Sequence, residues 1–368
     1  MRAIVPQETL AEALSTVSKA VSSKSTIPVL SGVLLEARSD HLLLRATDLE
    51  LAIEASAAAQ VQAEGSIVLP AKLLTDLIRR IPFGDLEIAV DPGHYTATIR
   101  WGRSQYLLHG FPADQFPQIP QPGDESHFIV SQPALRDLIR QTSFAAAHDE
   151  TRPYLTGVYI TLSGEQLSGV ATDSVRIAHT WVPARNPQHL SVQAIVPSRS
   201  LNELARVLST DPEAEARVAI TGNQAFFDLG SVRVISRLLE GQYPDVLRLI
   251  PQSYGTRATL NKEQFLEAVE RAALTTKDGA IKLEVGPDAM VIRANTPEVA
   301  QVQEELPLTL EGDPLEIGFN ARYLIEGLKV LDDPDFLFEF SGSRNPSRIS
   351  GTTGTSHYLY VVLPLITY

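Results

Sequence analysis

The sequence predicts an α+β fold of mainly antiparallel sheet, built from three tandem copies of one domain. Three observations carry that expectation. One pattern recurs at a near-constant offset, each copy holds two strand-to-helix steps, and the joins between strands are too short for parallel crossovers.

The recurrence is clearest in the first two copies. Pro28-Val29-Leu30-Ser31-Gly32 leads into Leu42-Leu43-Leu44-Arg45-Ala46-Thr47-Asp48, and Pro153-Tyr154-Leu155-Thr156-Gly157 leads into Leu167-Ser168-Gly169-Val170-Ala171-Thr172-Asp173. The offset is 125 from Pro28 to Pro153 and again from Asp48 to Asp173. A weaker third copy runs through residues 280–285 and 290–295.

The elements follow in order. Residues 3–5 form a strand feeding a helix over 9–20, repeated as 128–130 with 133–144 and as 258–260 with 262–273. A second step comes at Leu69-Pro70-Ala71-Lys72, Val196-Pro197-Ser198-Arg199 and Phe319-Asn320-Ala321-Arg322, spaced 127 and then 123 residues apart. Each opens a helix, over 70–81, 197–208 and 320–331. In the first of these Leu73, Leu74, Leu77, Ile78 and Ile81 stand at helical spacing. Pro70 and Pro197 are expected in the first helical turn. Alternating segments at 95–101 and 225–229 read as strands. Proline-rich stretches at 119–125 and 250–255 put the domains at 1–122, 123–253 and 254–368.

Composition narrows the function. Of 368 residues, 44% are hydrophobic and 20% charged, ordinary globular values, and the formal charge is −13. With no cysteine, disulfides, Cys-ligated zinc, iron–sulfur clusters and thiol chemistry fall away. The eight histidines are scattered, without metal-ligand spacing, and no phosphate-binding glycine loop occurs, so neither metal nor cofactor is expected. The N-terminal apolar run breaks within a few residues, which predicts no signal peptide, and no window is long enough to span a membrane; a cytoplasmic protein is expected.

Thr47-Asp48-Leu49-Glu50 and Thr172-Asp173 are the strongest catalytic candidates, as carboxylates beside hydroxyls. They share one repeat position after a strand, where Thr and Asp close turns through their own backbone, and the third copy has Asn295-Thr296 there. The pattern favours a turn, and no enzyme is expected.

Charge is unevenly placed. The six predicted helices sum to +4, leaving −17 for the rest of the −13 total. Their basic members are Lys19, Lys72, Arg79, Arg80, Arg136, Arg140, Arg199, Arg206, Lys262, Arg271, Lys277, Arg322 and Lys329. Helices favour Lys and Arg intrinsically. The alternative is one helical surface that tracks an anion by sequence-blind phosphate contacts within an acidic body. Six like units can close an arc with sheets outside and helices lining a central pore, completed head to tail by a second chain. A repeat scaffold that binds only proteins is the rival reading.

These features meet in a resemblance. Thr26-Ile27-Pro28-Val29-Leu30, Ala46-Thr47-Asp48-Leu49-Glu50, Ala171-Thr172-Asp173 with Arg176, Tyr243-Pro244-Asp245, Ile317-Gly318-Phe319-Asn320 and Tyr360-Val361-Val362-Leu363-Pro364-Leu365 together resemble the β sliding clamp family of bacterial DNA polymerase III, over essentially the whole chain. The resemblance implies three DNA-clamp domains per chain and a head-to-tail homodimer closed as a ring around double-stranded DNA. It also implies a non-catalytic processivity factor. Its partners would be the polymerase III catalytic subunit, a clamp-loader ATPase and other replication and repair proteins carrying a clamp-binding motif.

The resemblance also implies sites. A hydrophobic peptide pocket would use Arg152, Tyr154, Leu155, Thr172, Ser174, Val175, Arg176, Ile177, Pro244, Arg248, Leu249, Asn320, Tyr323, Val361, Val362, Leu363, Pro364, Leu365 and Ile366. The apolar tail also reads as an edge strand completing the last sheet. DNA contacts would come from Lys24, Lys72, Arg79, Arg80, Arg136, Arg140 and Arg199. A dimer seam would set Tyr106 and Leu108 against Ala273 and Leu274, with Arg100 and Arg103 meeting Glu298, Glu304 or Glu305. The chain departs from the family pattern at Ser174-Val175, where Gly-His is common, at Asp149, where a neutral amide is common, and at its end, Ile366-Thr367-Tyr368.

Overall fold

Proline closes the strands that feed several helices. Pro6 ends strand Arg2–Pro6, Pro70 ends Gly65–Pro70 and Pro197 ends Val192–Pro197. Pro6 and Pro70 then serve as N-caps with φ of −61° and −56°; Pro70 and Pro197 thus precede their helices rather than sitting inside the first turn as expected. A residue without an N–H loses nothing at a strand end, and its fixed φ suits the extended cap position. The third copy uses side chains instead. Asn261 Oδ1 accepts from Gln264 N and Asn320 Oδ1 accepts from Arg322 N.

A computed structural model describes residues 1–22, 26–121, 126–149, 151–276, 278–296, 300–353 and 357–365. Six α-helices lie among them: α1 (Gln7–Val17), α2 (Ala71–Arg80), α3 (Gln132–Thr142), α4 (Ser198–Ala205), α5 (Lys262–Ala273) and α6 (Ala321–Lys329). Every strand pairing among the described residues is antiparallel. Short 3-10 turns carry α1 on to Ala20 and α3 on to Ala145. In α2, Leu74 and Ile78 are buried, whereas Leu73 is 54% exposed despite its helical spacing.

Two compact units divide the chain. The first comprises Met1–Pro133, Arg185–Leu190 and Glu203–Leu238. It holds a five-stranded sheet ending on strand Ser104–His109 and an eight-stranded sheet. In the larger sheet, Leu51–Ala58 pairs with Val232–Arg237, so strands from two expected repeats share one sheet. α1 packs on α2 and on strand Leu51–Ala58.

The second unit comprises Ala134–Ala184, Ser191–Asn202 and Leu239–Tyr368. It holds a nine-stranded sheet and a four-stranded sheet ending on strand Ala300–Pro307. Strand Leu359–Val362 pairs on one side with Arg176–Pro183 and on the other with Ser347–Gly351. It is therefore interior, not the edge strand its position suggested.

Each large sheet buries a carboxylate between two arginines. Glu54 stands across from Arg45 and Arg233, and Glu339 stands across from Arg257 and Arg348. Glu54 is 5% and Glu339 0% exposed, and all four arginines form ion pairs with these carboxylates. Burial of a carboxylate is tolerable only with such partners.

Candidate functional site

The Thr-Asp pairs build turns, and the two copies do so identically. Thr47 Oγ1 donates to Leu51 O at 3.0 Å, and Asp48 Oδ1 accepts from Glu50 N and Leu51 N. Thr172 Oγ1 likewise donates to Arg176 O at 2.5 Å, and Asp173 Oδ1 accepts from Val175 N and Arg176 N. At the apex Leu49 and Ser174 both take positive φ, 79° and 80°. These carboxylates are engaged by their own backbone, which is turn chemistry rather than an acid–base pair.

In the second unit this turn sits beside an apolar cluster. Leu155, Ile177, Tyr243, Val246 and Val361 are buried together with Val170 and Ile195, and Tyr154 packs against them half-buried. Tyr243 stacks on Tyr159 at 5.1 Å, and its hydroxyl accepts from Thr172 N at 3.1 Å. Burial raises the Tyr243 hydroxyl pKa, outweighing that hydrogen bond and keeping the group neutral. Val361 and Val362 are thus core residues, 3% and 0% exposed, and underlie the surface rather than forming it.

What reaches solvent is a rim. Leu363 N donates to Val175 O at 2.9 Å, then Leu365 N donates to Gly318 O at 2.8 Å, so the tail is laid from the turn to strand Leu315–Asn320. Leu363 is 39% and Leu249 67% exposed, and Pro244 is also exposed. Arg152 donates to Ser174 Oγ at 2.7 Å, while Arg248 pairs with Asp245 at 2.5 Å. Asn320 is occupied as the α6 cap. Ile366 lies outside the described residues.

Arg176 braces this surface from below. Its Nε pairs with Asp173 at 3.0 Å, Nη1 with Glu326, and Nη2 donates to Phe144 O at 2.8 Å. Its guanidinium lies 4.8 Å from the Tyr323 ring centroid, and Tyr360 Oη donates to Tyr323 O. Burial opposes the charge, but Tyr360, Glu326 and Asp173 outweigh it and raise the Arg176 pKa. Arg176 is buried at 3% exposure and supports the turn instead of presenting a charge.

The expected DNA contacts divide. Lys72, Arg79, Arg80 and Arg199 are exposed on α2 and α4, with Arg79 donating to Ser15 Oγ. Arg136 is half-buried. Arg140 is committed internally, pairing with Asp332 at 2.7 Å and Asp137 at 3.1 Å and donating to Val330 O. Lys24 lies outside the described residues.

The expected seam also sorts by geometry. Tyr106 and Leu107 are 48% and 58% exposed on strand Ser104–His109, but Leu108 is 5% exposed and packs into its own sheet. A Tyr-Leu-Leu run offers two registers, and the inward one went to Leu108. Arg100 leans toward Glu87 and Gln105, and Arg103 is exposed. Leu274 is 86% exposed beside half-buried Ala273. Glu304 is held at both oxygens by Arg271 of its own unit, whereas Glu305 is exposed. Glu298 lies outside the described residues.

Three family matches tile the chain. Residues 1–120, 129–245 and 247–366 match the N-terminal, central and C-terminal domains of the DNA polymerase III beta subunit. This chain belongs to the beta sliding clamp family. The Bacillus subtilis beta sliding clamp is 34% identical over the full length of both chains, and the Staphylococcus aureus one 33% identical over 96% of each. Among solved structures, the Bacillus subtilis DNA polymerase sliding clamp superposes with a TM-score of 0.96 at 33% identity. The Pseudomonas aeruginosa DNA polymerase III beta subunit does so with 0.94 at 31%, and each covers all of both chains. Family membership makes the chain a DNA-encircling processivity clamp with DNA and the replicative polymerase as partners. No helix among the described residues is long and apolar enough to cross a membrane, and no group of three or more metal-ligating side chains occurs among them.

Proposed function

We propose that this clamp closes as a head-to-tail homodimer of three-domain chains and tethers its partners through a peptide seat around Val175, Leu249 and Leu363. The tether is non-catalytic. The observation that carries the seat is the exposed apolar rim over a packed floor: Leu249, Leu363 and Pro244 reach solvent around buried Leu155, Ile177 and Val361. Exposed apolar groups over a packed floor mark a binding surface.

Support for the homodimer comes from the sheet edges. Strands Ser104–His109 and Ala300–Pro307 are each paired on one side only among the described residues, and an exposed edge with Tyr106 and Leu107 invites strand pairing with another chain. The clamp loader and other motif-bearing replication and repair proteins would use the same seat, and the ring would stay in the cytoplasm with its DNA.

The test is fluorescence anisotropy with a labelled peptide carrying the polymerase's clamp-binding motif. Leu249→Ala with Leu363→Ala should weaken binding about tenfold or more, as loss of central apolar anchors does. Unchanged affinity in that double variant would remove the seat from this surface.

A further inference from the structure

The repeat that frames the proposed seat recurs in the first unit. Arg237 N donates to Glu50 O at 2.8 Å as Leu363 N donates to Val175 O at 2.9 Å, and the Thr47 and Thr172 hydroxyls close their turns by the same bond to the residue four positions on. The linker matches too, since Gln115-Phe116-Pro117 and Gln242-Tyr243-Pro244 are 127 residues apart. Between turn, linker and strand lies a cavity of about 160 Å³, floored by Ala52 and Ile235, with walls that mix Leu49, Leu51, Pro117 and Ile119 with polar Thr47, Glu50, Gln118 and Gln224. That volume is enough for one ring or branched aliphatic side chain.

Two features set this cavity apart from leftover space. Leu49 is 54% exposed and held at φ 79°, so a branched side chain is kept both strained and in water at its mouth. Glu50 and Arg237 replace the apolar Val175 and Leu363, and Arg237 is exposed with no ion-pair partner among the described residues. A cavity with an apolar floor, and with the exposed Arg237 guanidinium beside the Glu50 carboxylate at its lip, fits a ring or branched aliphatic group whose neighbour carries a carboxylate for Arg237.

We propose that this cavity is a second peptide seat, taking one apolar side chain of an extended partner segment with an adjacent carboxylate on Arg237. The proposal rests on the reading of the second-unit surface as a peptide seat. Its occupants differ from those of that surface because the rim is charged.

The probe is N-acetyl-photo-phenylalanyl-aspartyl-amide, used with the full-length protein, and labelled sites are mapped by mass spectrometry. Label at residues 47–52, 117–120 or 235–237 is expected. Arg237→Ser, or asparagine in place of the probe's aspartate, should lower that label about threefold, the size of an exposed ion pair. Leu49→Gly, which relieves the positive φ, should lower it about tenfold. Label at 172–177 and 361–365 alone would overturn the second seat and leave the first. Label at neither place would overturn the second seat, while the first stands or falls by the anisotropy test. Label in the first unit that ignores both Arg237→Ser and Leu49→Gly would overturn the assignment of its walls.

Discussion

Ser174 shows what a turn demands of a single residue. It sits at φ 80° with a β-carbon and a hydroxyl that accepts from Arg152. Glycine reaches that φ without steric cost, so Ser174→Gly should stabilise the fold by about 0.5–1 kcal/mol, seen as a higher thermal midpoint. A lower midpoint would mean that the Arg152 hydrogen bond outweighs the strain. His179 makes the complementary case for burial. Its Nε2 meets Ser168 Oγ at 3.0 Å, and burial pushes its pKa below the usual 6.5. The unfolded chain therefore binds the proton first, and stability is full above pH 6.5 and falls as the pH drops below it. Urea midpoints measured from pH 8 to 5 should show that slope, and His179→Gln should flatten it.

Among elements, the cross-strand charge triads are the parts most open to test. Arg348→Leu should cost about 3 kcal/mol by leaving the fully buried Glu339 with Arg257 alone. Adding Glu339→Leu should recover at least half of that loss in denaturant unfolding. A silent single variant would mean that the triad contributes nothing. Element identity was largely legible from the residues. The helical period placed α5 at Lys262–Ala273 as expected, and the Thr-Asp turns followed from backbone chemistry available to each residue locally. What was hidden lies far apart in the chain. Arg140 is claimed by Asp332, 192 positions away, and Arg271 by Glu304. Strand Leu359–Val362 is interior because neighbours from two regions flank it, which no local window contains. Leu108 and Leu107 differ only in strand register, and adjacent apolar residues carry no alternation to decide it.

For the molecule as a whole, an acidic chain of −13 must still let DNA pass. Exposed Lys72, Arg79 and Arg80 on α2 offer the local positive charge. Replacing all three by alanine should shorten retention on nicked circular DNA at low salt. It should also lower the magnitude of the log–log salt slope by roughly 2–3, nearly one per lost phosphate contact. Retention and slope both unchanged would take α2 off the DNA. The three-part repeat was legible from spacing, because the strand-to-helix step recurs in each copy, at Pro70, Pro197 and Asn320. The pairing of strands from neighbouring repeats was not, since sheet partners at long separation leave no period.

That pairing has a consequence in time. Strand Leu51–Ala58 leaves the ribosome 174 residues before Val232, the start of its partner. At about 5–20 residues per second, the edge of the nascent sheet waits on the order of ten to thirty seconds for its mate. Through that interval Leu51 and Ile53, buried at maturity, stand open to any other strand in reach. A cell making this clamp must therefore shelter a half-built sheet, and the rate of its synthesis sets how long.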